Sequence, residues 1–187
     1  WNVWAISGGA PCNALPDYGT RILAIDPLPV RVGLAFIGNV GNHHDGAADC
    51  MVSRLWPGAE RSPATLTTSD RARITALYRQ DLTLMIEWNL AHNMSTVLVA
   101  PPVMQPGTYF NQVNANLVAA YDALGTQYGG VGCTHLVRDA LTPGDLWRGS
   151  LTSGGTAYPL RYTDGTHLAA PFGTQMYAAA LFQSLSG

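Results

Sequence analysis

Two short apolar runs constrain the fold of this chain more than any other feature. Residues 32–37 and 96–100 are nearly unbroken stretches of Val, Leu, Ala and Phe or Thr, closed by Gly38-Asn39 and by Pro101-Pro102 respectively. Runs of this length and composition, bounded by chain-breaking residues, read as strands buried on both faces. Both are far shorter than the ~18–20 apolar residues needed to cross a bilayer, so no transmembrane segment is expected. Between them Ser69-Asp70 is a helix start, and Ile74, Leu77, Leu82, Met85, Ile86 and Leu90 recur at helical spacing up to about Asn93.

The same alternation extends in both directions. Residues 2–6 alternate and run into Ser7-Gly8-Gly9, as a strand entering a tight turn does. Tyr18–Ile25 has the character of a short helix stopped by Asp26-Pro27, and residues 41–63, rich in Gly, Pro and polar side chains, read as one long loop. Residues 111–128 carry Val113, Leu117, Val118, Tyr121 and Leu124 on one helical face. Residues 133–137 suggest a short strand, and 174–185 a closing helix. Strand–helix alternation predicts an α/β fold with a parallel sheet covered on both sides. Ligands in such folds bind beyond the carboxyl ends of the strands, where Gly8, Asn39 and Pro101 fall.

At 187 residues, with 47% apolar and 12% charged side chains, the chain fits a single folded domain with a real core. A formal charge of −2 supplies no clustered positive field, which argues against a nucleic-acid partner. The cysteines Cys12, Cys50 and Cys133 show no CxxC spacing and therefore no zinc signature. They are either buried free thiols or include one disulfide formed in an oxidising compartment. His43-His44-Asp45 and Asp49 offer ligand types suited to a metal. Adjacent histidines rarely address one ion, however, and no second ligand set accompanies them, so no metal is expected.

Asp164-Gly-Thr-His167 is the motif with the clearest chemical content. A carboxylate three residues before a histidine, on a turn, can accept the Nδ1 hydrogen and leave Nε2 facing a reactant, as in acyl-transfer triads. Its structural alternative is a turn aspartate bonded to its own backbone beside an exposed histidine.

Several blocks in order resemble the SGNH hydrolases, the GDSL-type esterases and lipases, and in particular an actinobacterial-like branch of that family. The ending Asp164-Gly-Thr-His167-Leu168 with Gly173 and Tyr177-Ala178-Ala179 looks like the family's His block and last helix. Phe36-Ile37-Gly38-Asn39 looks like its Asn block, although Val40 stands where an Asp is usual. The segment from Ser7-Gly8-Gly9 through Cys12 to Leu15-Pro16-Asp17 looks like its Gly block. The resemblance implies a three-layer flavodoxin-like sheet with helices on both faces, and a secreted or cell-envelope serine hydrolase or transferase of ester-linked acyl groups. It implies no cofactor, and a glycan, lipid or small-molecule ester as substrate. It assigns His167 as general base, Asp164 as its orienting carboxylate, and Gly8 and Asn39 as oxyanion-hole donors. It also implies a Cys12–Cys50 disulfide.

The Ser block is absent from these residues. The expected first strand and nucleophile would precede Trp1, leaving the domain N-terminally incomplete. Ser7 is the nearest substitute but lacks the strand–turn–helix setting of a nucleophile. On this reading the 187 residues alone are inactive. A second possibility follows from the same gap: a catalytically inactive binding or structural module.

Overall fold

The computed structural model of the chain describes residues 11–25, 33–37, 50–58, 67–99, 109–129, 135–137, 149–164 and 167–186. The N-terminal elements are α1 (Pro11–Ala14), a 3-10 turn (Leu15–Asp17) and α2 (Tyr18–Ile25). Then come β1 (Gly33–Ile37), α3 (Cys50–Leu55), the long α4 (Thr68–Ala91), β2 (Met94–Val99), α5 (Tyr109–Tyr128) and β3 (His135–Val137). A ribbon of β4 (Ser150–Ser153) and β5 (Thr156–Pro159) precedes α6 (Phe172–Ser186).

Helix α4 organises the core. Its N-terminus is closed by a capping box whose N-cap, Thr67, lies two residues before Ser69. Thr67 Oγ1 accepts the Asp70 N–H at 3.1 Å, while the Asp70 carboxylate accepts the Thr67 N–H at 2.9 Å. These bonds satisfy donors that the first turn would otherwise leave unpaired. One stripe of the helix, Ile74, Tyr78, Leu82, Met85 and Ile86, is buried against Tyr121 and Leu124 of α5 and Leu98 of β2. Fully burying side chains of this size contributes about 1.5–3 kcal/mol each before entropy is counted.

β2 is the central strand of a parallel three-stranded sheet in the order β1-β2-β3, with Phe36 opposite Val97 and Val97 opposite His135. Side chains alternate across a strand, so Thr96 and Leu98 share the face under α4, while Val97 points the other way. All three are fully buried, the reason this segment is apolar without alternation.

The expected three-layer flavodoxin-like sheet is not the architecture found. Helix accounts for 65% of the described residues. Their parallel sheet has three strands, and the second sheet is a separate two-stranded antiparallel ribbon. Helices α4 and α5 pack against each other as well as against β2 and β3, so both cover the same face. Residues 41–63 are not the single loop expected, since α3 lies within them, and the β4–β5 ribbon, which the sequence analysis does not anticipate, turns at Gly154-Gly155 with φ of 57° and 77°. Two adjacent residues with positive φ favour glycine at both positions and give the twist that joins short antiparallel strands. The expected strand at residues 2–6 lies outside the described residues.

Polar side chains penetrate the core as well. Asn89 of α4 is buried, accepts the Tyr18 hydroxyl at 3.0 Å and donates to Thr96 Oγ1 at 2.9 Å, linking α2, α4 and β2. Burial pushes the Tyr18 phenol up to about 12, with the bond to Asn89 pulling the other way. Gly19 sits so near Trp88 that an added Cβ would lie 2.6 Å from its indole nitrogen, which allows α2 to close on α4. Asp81 is buried and paired with Arg54 of α3 at 2.7 Å.

Burial raises the Asp81 carboxyl above its ordinary 3.8, and the hydrogen bond and charge of Arg54 oppose that rise. A carboxyl whose folded value is raised contributes stability that is present below pH 3.8 and lost as pH climbs through the folded value. The difference in Tm between the wild type and Asp81→Asn should therefore shift in favour of the variant from acid to neutral pH, as followed by circular dichroism.

Candidate functional site

The segment from β5 to α6 builds the Asp164–His167 loop. Leu160 and Ala169 are buried beneath it, and the Ala169 N–H donates to the Leu160 carbonyl at 2.9 Å. The Tyr162 N–H donates to the His167 carbonyl at 2.9 Å, and Arg161 bridges Leu168 in antiparallel fashion. The loop is thus a closed excursion between two short paired segments. At its exit Gly173 packs directly on the backbone: a Cβ there would collide with the Leu160 carbonyl oxygen. Tyr158 and Phe172 meet edge to face at 4.9 Å between ring centroids, which ties β5 to the start of α6.

Within the loop, Asp164 and His167 are brought together. One carboxylate oxygen of Asp164 accepts the His167 backbone N–H at 3.0 Å, and the other lies 2.8 Å from His167 Nδ1. The first bond closes the turn as an aspartate commonly does three residues before a backbone donor. The second orients the ring. Both side chains face solvent: His167 is 75% exposed and Asp164 47%. Among the described residues no serine hydroxyl bonds to His167.

The other site residues read from the sequence are distributed differently. Gly8, Asn39 and Ser7 lie outside the described residues, as do His43, His44, Asp45, Asp49 and Cys133. Cys12 and Cys50 are joined in a disulfide that links α1 to α3 across a sequence separation of 38. Trp88 is a packing residue, edge to face with Tyr18 and stacked on His92 at 3.8 Å. Trp56 lies under the Arg73 guanidinium at 5.1 Å. The described residues gather no set of three or more histidine, cysteine or acidic side chains able to hold a metal ion.

No family model matches this chain, and no curated protein matches it. The SGNH resemblance therefore finds no support in related sequences, and the fold departs from the one it implied. The assignment to the GDSL-type esterases and lipases is overturned. With it go the serine-hydrolase activity and the acyl-transfer role of the Asp-His pair, for which the described residues form no triad.

Sequence reasoning missed the buried polar groups Asp81, Asn89 and Arg161. Asp81 and Asn89 interrupt an apolar pattern that a helix can complete with either polar or apolar residues. A signal was available for Asp81, because it occupies the same helical face as Ile74, Tyr78 and Met85.

Two outcomes follow from the loop geometry. Asp164→Ala removes the acceptor for the His167 amide, so that amide should exchange with deuterium about tenfold faster while the core amides are unchanged. Gly173→Ala forces a carbon against the Leu160 carbonyl and should lower the unfolding free energy by about 1–3 kcal/mol in urea titration.

Proposed function

We propose that this chain is a non-catalytic binding or structural module, a disulfide-braced scaffold that presents the Asp164–His167 loop on its surface. The observation that carries this reading is the use of the Asp164 carboxylate. Both of its oxygens engage His167, one through the backbone, so the aspartate closes its own loop. A triad aspartate is normally buried beneath its histidine, in surroundings where its charge stabilises an imidazolium. Here water surrounds both groups and weakens that electrostatic effect.

Exposed Tyr162 and Phe172 flank the loop in sequence and supply aromatic surface of the kind enriched in recognition sites. The Cys12–Cys50 bond favours an oxidising compartment, so a secreted or cell-envelope setting suits the module.

The test is direct. The purified 187-residue chain and its His167→Ala variant should both leave p-nitrophenyl acetate and butyrate at the buffer hydrolysis rate from mildly acidic to mildly basic pH. Turnover by the wild type that disappears in His167→Ala would overturn the proposal.

A further inference from the structure

Helix α3 is held to the rest of the molecule at two points on one face. Cys50 and Arg54 are four residues apart, one helical turn. Cys50 is bonded to Cys12 of α1, and Arg54 Nη1 donates to Asp81 Oδ2 of α4 at 2.7 Å. The helix has only six residues, too few to be stable alone. Cys50, Ser53 and Leu55 are half-buried and Arg54 is exposed; Cys50 and Leu55, with Trp56 just beyond the helix, pack against the core as partly buried side chains and not as members of its fully buried set. Beneath the helix, Asp81 is fully buried, and its Oδ1 has no hydrogen-bond partner among the described residues.

We infer that α3 is a redox-controlled latch: reduction of Cys12–Cys50 lets it lift from α4 while the α4–α5 core stays folded. The energetic asymmetry comes from Asp81. With α3 closed, its carboxylate has one charged partner and one unsatisfied oxygen. With α3 lifted, water can hydrate both oxygens, so the ion pair and the partly buried packing of Leu55 and Trp56 hold the helix only weakly once the covalent tether is gone.

The reductant is a dithiol. One thiolate attacks Cys50 Sγ and displaces Cys12 as thiolate. The second thiol then closes the reductant's own disulfide and releases Cys50, transferring two electrons in all. The cation–π contact between Arg73 and Trp56, just beyond α3, would open with it.

Trypsin reads the latch at the Arg54–Leu55 bond. In native buffer that bond should resist cleavage in the oxidised protein. With dithiothreitol it should be cut at least about tenfold faster, because cleavage follows the population of the open form. The bonds after Arg71, Arg73 and Arg79 in α4 should stay protected, and reoxidation should restore resistance at Arg54.

A Cys12→Ala, Cys50→Ala double variant should match the reduced wild type without reductant. No acceleration on reduction would overturn the inference. Cleavage within α4 at the same rate as at Arg54 would also overturn it, since it would mean that the whole domain unfolds. If the double variant does not fold, the reduced and reoxidised wild type still decide between these outcomes.

Discussion

Helix α4 buries seven side chains along one face, and the surrounding elements are placed by what that face requires. Its apolar members pack on α5 and on Leu98 of the central strand. Its two buried polar members act differently. Asn89 reaches Tyr18 on one side and Thr96 on the other, so a single amide aligns α2, the long helix and the sheet. Because a buried amide left unpaired costs free energy comparable to a lost hydrogen bond, this arrangement also sets the orientation in which the elements pack. Tyr78 and Tyr121, whose hydroxyls lie 3.2 Å apart, do the same between α4 and α5. Burial pushes the Tyr121 phenol well above its ordinary value. The bond to Tyr78 opposes this, and the phenol of Tyr177 in α6 adds to it.

The N-terminal segment has less apolar surface to offer, and covalent and ionic links complement its packing. Helix α1 has four residues and α3 has six, neither long enough to persist without tethers. The disulfide ties them to each other, and Arg54 ties α3 to the core. The C-terminal segment uses backbone pairing instead, with the ribbon, the Arg161–Leu168 bridge and the close approach at Gly173 fixing the loop. The Asp-His pair thus sits on a well-supported piece of backbone while remaining open to water. That combination suits presentation of a surface better than the sheltered electrostatics of catalysis.

The likeness to an esterase motif illustrates how far four residues can be trusted. Asp-x-x-His on a turn satisfies two geometries equally well, because the same carboxylate can orient an imidazole or accept a backbone N–H. In this chain it does both at once. Spacing cannot distinguish a triad fragment from a loop clasp. The distinction lies in burial and in the group opposite Nε2, which are properties of the assembled surface.

Several elements were legible because their cause is local. Helix α2 is read at Tyr18–Ile25, and β1, α4, β2, α5 and α6 are read within a few residues of their ends, since apolar periodicity and chain-breaking residues act over one or two turns. The N-cap lies two residues before Ser69 because Thr67, Ser69 and Asp70 offer competing caps, and the partner three residues on decides among them. Helix α3 was hidden inside a polar stretch because its stability comes from Cys12 and Asp81, both distant in sequence. By itself, then, the sequence determined that the segments with strong apolar periodicity become helix or strand, from β1 through α4, β2 and α5 to α6. The tertiary structure alone decided how they are layered, that Asp81 and Asn89 are buried, and that Asp164 and His167 face solvent. Those outcomes depend on which surfaces meet, and burial is settled only when they do.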